Sequence, residues 1–348
     1  MPTLSVVIVT HDSRLAVEPT LRALSAQLRK DDELIVVDNA SADGSAEAVR
    51  ELAPEAIVIE TGANLGFAAA CNQGARAAGG ELLCLLNPDA VPAPGWRDAI
   101  ERPHTEGRGW AAWQGLVTCA GGTEVNTRGG VVHFTGIAWA GGAGERVGES
   151  EAETDRARVQ PGFVSGACLA LPRASYLEAG AMAAEFFLYH EDVDLSLRLR
   201  LLGGQLGVES QARVDHSYEF AKGSQKWHWL ERNRWATLIR TYPALLLVLL
   251  APALLATELA LVAVAARGGW LDEKAAAWKT TLLWLPRLLR ERREIQRTRT
   301  VGAAAFASTL SAELDSPYLG AAGRSPLLAG VLRFYWALVL LILGAPRR

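Results

Sequence analysis

The sequence is poor in the features that mark several common classes of protein. Its four cysteines are scattered through 348 residues without metal-ligand spacing: Cys71, Cys84, Cys119 and Cys168. Such cysteines are typical of small buried side chains in a reducing compartment. The formal net charge of −3 argues against a general nucleic-acid binder. No basic stretch precedes the first apolar run and no small-residue cleavage site follows it, so we expect no secretory signal.

Two kinds of phosphate-binding loop are also missing after the first apolar run, Leu4–Val9. A dinucleotide-binding fold places Gly-x-Gly-x-x-Gly there. A nucleotidyltransferase would open with a Gly-rich loop that carries Lys or Arg. This chain instead has Thr10-His11-Asp12-Ser13. Both classes are therefore disfavoured, and no internal repeat suggests a solenoid.

Apolar residues make up 50% of the chain and charged residues 21%, enough for a sizeable core. Up to about Ile100, strand and helix patterns alternate. The predicted strands are Leu4–Thr10, Leu34–Asp38, Ala56–Glu60 and Glu81–Asn87, and the predicted helices are Leu15–Leu28, Ser45–Leu52 and Phe67–Ala78. This alternation predicts an α/β fold with a mostly parallel, Rossmann-like sheet and flanking helices.

The texture changes after residue 110. Residues 110–160 combine short β patterns with Gly-rich turns, which predicts an irregular β region over the sheet edge. Gly162–Leu171 is a further strand candidate, and Ala212–Asp215 is another. Asp192–Leu202 is rich in leucine and ends at a Gly pair, so we expect a helix there.

Three polar islands interrupt the apolar sequence: Val37–Ser45, Leu86–Ala90 and His190–Asp194. The first two follow buried strand patterns, and open α/β sheets bind ligands at the carboxyl ends of their strands. Bare carboxylates repel a diphosphate. Acidic side chains offered to a nucleotide therefore suggest a divalent metal, Mg²⁺ or Mn²⁺, between them.

The order and spacing of these islands resemble glycosyltransferase family 2, which has the GT-A fold, over about Leu4 to Tyr242. Within it the chain is most similar to rhamnosyltransferases that act on polyprenyl-diphosphate-linked saccharides in cell-envelope (cell wall) polysaccharide synthesis. The resemblance implies an inverting hexosyltransferase at the cytoplasmic face of the cell membrane, with dTDP-L-rhamnose as the first candidate donor. A UDP-hexose or UDP-galactofuranose donor, a nucleotidyltransferase and a catalytically inactive membrane scaffold remain alternatives.

The resemblance also implies roles for individual residues. The catalytic base is Asp192, with Glu191 beside it, and the metal ligands are Asp89 and His216. The nucleotide-sugar contacts are Thr10, Asp12, Asp38, Asn64, Gly66, Asn72, Asn87 and Asp89. Asn87 stands where the family has the first Asp of Asp-x-Asp, which weakens the expected metal site. A purely structural role remains an alternative for several of these residues. The alternatives are a turn at Asn64, a turn at Asn87–Asp89, a helix cap at Glu191–Asp192 and an ordinary hydrogen bond for His216.

The tail from Pro243 onward has a different character. Pro243–Ala266 contains Glu258 as its only charge, and Leu327–Gly344 contains only Arg333. Both segments approach the ~20 residues of a membrane span. Six arginines lie between them: Arg287, Arg290, Arg292, Arg293, Arg297 and Arg299. We expect a re-entrant or interfacial arrangement with these arginines against anionic headgroups, the alternative being buried soluble helices.

These patterns predict two domains. Residues 1–242 would form the catalytic domain, with a nucleotide-binding half (1–100) and an acceptor-binding half (101–242). Residues 243–348 would form a helical, membrane-associated tail. The predicted partners are the donor nucleotide-sugar, the lipid-linked acceptor and the membrane, with no nucleic acid.

Overall fold

The computed structural model describes residues 1–148, 160–216, 223–315 and 325–345. These residues divide into two compact units. The first unit comprises the described residues of 1–130, 140–199 and 204–219, and the second those of 131–139, 200–203 and 220–348. The helix Gln225–Thr241, just before the predicted domain boundary at residue 242, groups with the second unit.

Eleven strands are present among the described residues. They are β1 Leu4–Thr10, β2 Glu33–Asp38, β3 Ile57–Glu60, β4 Leu82–Leu86, β5 Ala90–Pro92, β6 Trp110–Cys119, β7 Glu124–Thr127, β8 Gly130–Val132, β9 Ala138–Ala140, β10 Cys168–Pro172 and β11 Gln205–His216. The main sheet has nine strands in the order β3-β2-β1-β4-β10-β6-β11-β5, with β7 paired to β6, and β8 and β9 form a separate pair.

The first half of the main sheet is parallel, as predicted. Strands β1, β2, β3 and β4 pair in parallel, and β1, β2 and β4 consist almost wholly of buried residues. Strands covered on both faces need continuous apolar runs, and Val, Ile and Leu supply them here. Thr10 lies opposite Asp38 in the register, so β1 and β2 end side by side. The first polar island is therefore brought to one edge of the sheet.

The second half of the sheet is mixed. Strand β10 runs antiparallel between β4 and β6, and β11 is parallel to β6 but antiparallel to β5. The strand expected over Gly162–Leu171 is limited to Cys168–Pro172. The irregular β region expected at 110–160 contains β6 to β9, while its residues 149–159 lie outside those described.

The four helices predicted in the first unit are present close to their predicted bounds, and two further helices, Trp96–Thr105 and Arg173–Glu178, were not predicted. The helices are α1 Arg14–Ser25, α2 Ser45–Leu52, α3 Phe67–Ala77, α4 Trp96–Thr105 and α5 Arg173–Glu178; a 3₁₀ turn at Ala184–Phe186 precedes α6 Glu191–Leu201, whose last two residues belong to the second unit. Apolar residues of α1 and α2 pack with one face of the parallel strands. Those of α3 pack with the other face.

Helices dominate the second unit. They are α7 Gln225–Thr241, α8 Ala244–Gly268, α9 Leu271–Thr298, α10 Ala303–Ala307 and α11 Pro326–Leu343. Helices α8 and α11 are the two in the described chain that are long and apolar enough to cross a membrane, and most of their residues are exposed. The exposed apolar side chains include Val248 on α8 (70% exposed), Leu283 on α9 (71%) and Phe334 on α11 (68%).

Glu258, the one charge in the first apolar segment, is paired inside this unit. Its carboxylate accepts hydrogen bonds from Arg234, from Lys274 Nζ (3.1 Å) and from Trp278 Nε1 (2.8 Å). Lys274 is fully buried and also donates to Glu231 Oε2 at 2.6 Å. Two acids and two bases thus compensate one another among α7, α8 and α9, which buried charges require.

Candidate active site

The first polar island joins the carboxyl ends of β1 and β2. The Thr10 hydroxyl donates to Asp38 Oδ1 (2.9 Å), and the Ser41 N–H donates to Asp38 Oδ2 (3.1 Å). Asp12 Oδ1 accepts from the Ala42 N–H at 2.7 Å. An ionised carboxylate has about four acceptor positions. Asp38 is therefore held by the protein with lone pairs left for a ligand.

Asn39 links this edge to the turn before α3. Its Nδ2 donates to Asn64 Oδ1 (3.0 Å), and its Oδ1 accepts from the Leu65 N–H (2.9 Å). Asn64 Oδ1 also accepts from the Gly66 N–H at 3.0 Å. Asn64 thus forms part of a turn, which was the structural alternative for this residue. A direct contact of Asn64 with a ligand stays a prediction. Sequence reasoning assigned no role to Asn39, although it lies within the same motif.

Gly66 is the point at which the turn meets a segment more than a hundred residues away. Its φ is +82°, and a Cβ at this position would lie 2.6 Å from Phe187 Cα and from Phe187 O. The N–H of Ala68 points at the same Phe187 carbonyl at 3.5 Å. Only glycine allows the chain around Phe187 to lie this close.

The segment that reaches Gly66 is strained. Phe187, Tyr189 and His190 have φ values of 64°, 70° and 67° without being glycine. Each residue in this region costs of order 1–3 kcal/mol, so the surrounding structure must impose the conformation. The segment leads directly into Glu191 and Asp192 at the start of α6. The strain therefore lies immediately before the predicted base.

Asn72 helps to hold the chain that leads into that segment. Its Nδ2 donates to the Met182 carbonyl (2.8 Å), and its Oδ1 accepts from the Met182 N–H (3.0 Å) and the Tyr176 hydroxyl (2.6 Å). The side chain is buried and committed to these partners. A nucleotide-sugar contact of Asn72 stays a prediction, and the structure shows its polar atoms bonded to Met182 and Tyr176.

Arg198 also holds the chain that leads into that segment. Its guanidinium bonds the carbonyls of Ala179 and Ala181 and the carboxylate of Asp194, the last at 2.8 Å. Arg198 and Asp194 lie one turn apart on α6. The helix that begins with the predicted base therefore also anchors the chain that precedes it.

Asp192 lies at the first turn of α6 and faces the Ser165–Ala167 segment. Its Oδ2 accepts from the Gly166 N–H (3.1 Å), and its Oδ1 accepts from the Val193 N–H (2.8 Å). The surrounding protein raises the pKa of Asp192 from 3.8 to about 6, because burial disfavours the charged form. Glu191 beside it is buried. Asp192 is thus ionised at neutral pH but more basic than an ordinary Asp.

Ala167, the residue after Gly166, contacts a further group of predicted site residues, which contains Asn87, Asp89 and His216. The Asn87 N–H donates to the Ala167 carbonyl at 3.1 Å. The Asn87 side chain lies 3.1 Å from His216 Nε2, and that nitrogen lies 3.1 Å from Asp89 Oδ1. Pairing of β11 with β5 sets His216 opposite Ala90, which brings it to Asp89 from 127 residues away.

These three side chains fit a divalent cation in part. A carboxylate oxygen and an imidazole nitrogen converge, and rotation of the Asn87 amide would add a carbonyl oxygen. No group of three or more His, Cys, Asp or Glu side chains placed for a metal occurs within the described ranges. A metal held here would therefore take most of its ligands from a diphosphate and water, as Mg²⁺ usually does in phosphate sites.

The structure thus brings together most of the predicted residues. Contacts run from Asp38 through Asn39 and Asn64 to Gly66, from Gly66 to Phe187, and from Asp192 through Gly166 and Ala167 to Asn87. Gly166, Ala167 and Phe187 were missed in sequence reasoning because they contribute backbone groups, which leave no side-chain signal. The arrangement offers a proton acceptor close to a partial cation site.

Gly66→Ala tests the close approach of Phe187. We expect it to lower the free energy of unfolding by about 1–3 kcal/mol more than Gly62→Ala, as overpacking typically does. Gly62 is the matched control, since its φ is +72° and a Cβ there would meet nothing within 4 Å. Chemical denaturation of both variants measures the difference. Equal destabilisation would mean that only the left-handed backbone matters and that the contact with Phe187 is unimportant.

Comparison with known proteins agrees with this geometry. Residues 5–132 match the model of the family described as glycosyl transferase family 2. A relative in Mycobacterium tuberculosis (strain ATCC 25618 / H37Rv), N-acetylglucosaminyl-diphospho-decaprenol L-rhamnosyltransferase, is 26% identical over 244 residues, covering 63% of this chain and 78% of that protein.

Two solved structures share the fold. The mannosyltransferase PcManGT of Pyrobaculum calidifontis, solved with GDP-Man and Mn²⁺, has a TM-score of 0.51 at 20% identity over 89% of this chain and 86% of its own. GalNAc-T7, solved with UDP, GalNAc and Mn²⁺, has a TM-score of 0.55 at 18% identity over 69% of this chain and 48% of its own. Residues 5–132 are therefore similar to a glycosyl transferase family 2 domain, and the chain is a glycosyltransferase with the GT-A fold.

Proposed function

We propose that this glycosyltransferase moves a hexose, with inversion, from a nucleotide-diphosphate sugar to a hydroxyl of a lipid-linked saccharide. One observation carries the proposal. The Asp192 carboxylate, with its pKa raised to about 6, is joined through Gly166 and Ala167 to the Asn87–Asp89–His216 cluster. A base and a diphosphate site must lie this close for a glycosyl group to pass between them.

Asp192 is the proposed general base. The acceptor oxygen attacks the anomeric carbon as the bond from that carbon to the diphosphate oxygen breaks, and the acceptor proton moves to an Asp192 oxygen. The diphosphate departs with the bonding electron pair. A base with a pKa near the working pH combines ionisation with proton affinity, which suits this step. Glu191 is proposed as its neighbour within the catalytic pair.

The donor site is proposed at the carboxyl ends of β1, β2 and β4. Thr10, Asp12 and Asp38 would receive the nucleoside, while the turn at Asn64 and Gly66 and the side chain of Asn87 would border the sugar diphosphate. Asp89 and His216 would hold the divalent cation. When bound, that cation neutralises the charge developing on the leaving diphosphate. Mg²⁺ and Mn²⁺ both suit oxygen ligands, and the two structural neighbours were solved with Mn²⁺.

The donor is proposed to be dTDP-L-rhamnose and the acceptor a polyprenyl-diphosphate-linked saccharide of cell-envelope synthesis. The support is the mycobacterial relative, whose name specifies L-rhamnosyl transfer to N-acetylglucosaminyl-diphospho-decaprenol. Purified enzyme should be offered dTDP-L-rhamnose, UDP-galactofuranose and UDP-glucose with that acceptor class. Faster release of dTDP than of UDP supports the proposal, whereas preferred turnover of a UDP-sugar replaces the donor assignment.

Membrane association at the cytoplasmic face is the last part of the proposal. A long lipid-linked acceptor stays in the bilayer, so the enzyme must meet its saccharide near the surface. The exposed apolar side chains of α8, α9 and α11 provide the required surface. The buried ion pairs of Glu258 favour an interfacial arrangement over two straight spans.

Asp192→Asn tests the base. Donor affinity should persist, because size is nearly conserved, while turnover falls by about 10²–10⁴-fold. In the parent, kcat/KM should fall as the pH drops below about 6, since protonation removes the base. Steady-state rates across pH measure both effects. Glu191→Gln is the comparison: if it abolishes turnover and Asp192→Asn remains active, the two roles are reversed.

Asp89→Asn tests the metal site. Removing the metal with a chelator should weaken donor binding to the parent by at least roughly tenfold, as measured by calorimetry. Loss of even an outer-shell group typically costs a metal site at least that much metal affinity. The variant should bind donor weakly with or without Mn²⁺. Asp31→Asn is the control, because Asp31 is exposed and precedes β2 at the opposite end from Asp38. Parent-like, Mn²⁺-dependent affinity in Asp89→Asn would contradict the assignment.

Leu283→Asp tests the membrane surface. The intact protein should sediment with membranes and resist salt extraction, and Leu283→Asp should weaken partitioning by roughly 10- to 100-fold, given the cost of an Asp in an apolar layer. Leu15→Asp is the matched control, since Leu15 is 87% exposed but belongs to the first unit. A parent that remains in solution without detergent would overturn membrane association altogether.

A further inference from the structure

The second unit contains a pocket of about 440 Å³ at the carboxyl-terminal part of α9. Its lining residues are Ala244, Leu289, Arg292, Arg293, Gln296 and Arg299. Three of the six are arginine and none is acidic. The pocket is therefore a local concentration of positive charge within a surface that is otherwise rich in exposed leucine.

Two of the lining side chains are fixed by the end of α7. Arg292 Nη1 donates to the carbonyls of Ile239 and Tyr242, each at 2.6 Å. Gln296 Nε2 donates to the Thr241 carbonyl at 2.9 Å. The last carbonyls of a helix have no partner within the helix, and these donors satisfy them. Burial and the neighbouring charge of Arg299 lower the pKa of Arg292. The Arg292 guanidinium is thus fixed by its hydrogen bonds next to the guanidinium of Arg299.

Among the described residues, no acidic side chain pairs with the remaining two arginines of the pocket. Glu291 is engaged by Arg240 (3.0 Å) and Arg287 (2.7 Å), and Glu294 is engaged by Arg297 (2.7 Å). Within the described ranges no ion pair involves Arg293 or Arg299, and Arg299 bonds only the Gln296 amide oxygen at 3.3 Å. The pocket thus offers two open guanidinium forks, a geometry that matches phosphate oxygens.

An apolar stripe leads to these forks. Trp278, Leu282, Leu289 and Arg293 follow one another on α9 at intervals of four, seven and four residues, so they lie on one face of the helix. The first three are exposed to solvent. A ligand that satisfies the whole face must carry a negative head on an apolar body.

We propose that this pocket binds the phosphate of an anionic phospholipid, with the stripe Trp278–Leu282–Leu289 against its acyl chains. This inference rests on the proposed membrane association and makes it more specific. The sequence predicted that all six arginines attract anionic headgroups, whereas here Arg293 and Arg299 alone form the binding site. Arg292 positions the pocket wall. Arg287 and Arg297 are occupied by carboxylates and lie outside the site.

Replacing arginine by lysine separates a pocket from general attraction. Arg293→Lys/Arg299→Lys keeps the net charge but loses the planar fork that binds phosphate through two donors. Arg290→Lys/Arg297→Lys makes the same change outside the pocket and is the control. Binding of the full chain to phosphatidylcholine vesicles, with and without phosphatidylglycerol, measures the effect, and thermal unfolding confirms that both variants fold.

We expect the pocket variant to bind phosphatidylglycerol vesicles roughly tenfold more weakly than the parent, while the control variant binds as the parent does. Equal binding of the two variants would overturn the pocket and leave a purely electrostatic attraction, in which charge alone matters. If the parent binds neither type of vesicle, that result would instead contradict the proposed membrane association.

A further comparison identifies the source of the phosphate. Neutral vesicles that carry a polyprenyl diphosphate replace those with phosphatidylglycerol. If the parent prefers them and the pocket variant loses that preference, the site serves the acceptor and the phospholipid assignment is wrong. Donor binding, measured separately in solution, should be unchanged in both lysine variants, which keeps this result independent of the glycosyl-transfer proposal.

Discussion

The close contact between Gly66 and Phe187 is the constraint on which the candidate site depends. It presses the strained segment 187–190 against the turn before α3, and that segment ends at the residues proposed for proton transfer. Hydrogen bonds from Asn72 and Arg198 fix the chain that leads into this segment, at Met182 and Ala181. The proposed base is thus placed by a strained, multiply anchored chain, and such pre-organisation is what catalysis by differential binding requires.

The sequence predicted the first half of the fold more fully than the second, for a physical reason. Strands such as Leu4–Thr10 and Leu82–Leu86 are buried on both faces, so their apolar runs and the turns between them are local signals. The place of Cys168–Pro172 between β4 and β6 depends on pairing across more than eighty residues. No period in the sequence encodes that pairing, which is why an antiparallel strand within the sheet was not expected.

The candidate site was predictable where it consists of side chains at the ends of elements. Asp38 ends a buried strand, Asp89 follows another, and Asp192 lies in the first turn of a helix, so their positions could be inferred. The environment of each was not predictable. The pKa of Asp192 depends on burial by distant segments, and the partners of Asn72 come from residues more than a hundred positions away. Asn72 lies in a motif that was predicted to bind the nucleotide-sugar, and its side chain bonds Met182 and Tyr176.

The helical unit reverses the usual distribution of polar and apolar groups. Lys274 is fully buried with Glu231 and Glu258, whereas leucines such as Leu283 face outward. Removing one partner of such a network would leave an uncompensated buried charge, so α7, α8 and α9 must fold together. Glu258 therefore ceases to be an anomaly in an apolar helix. The carboxylate that makes α8 a poor simple membrane span also pairs this helix with α7 and α9. The other faces of α8 remain apolar.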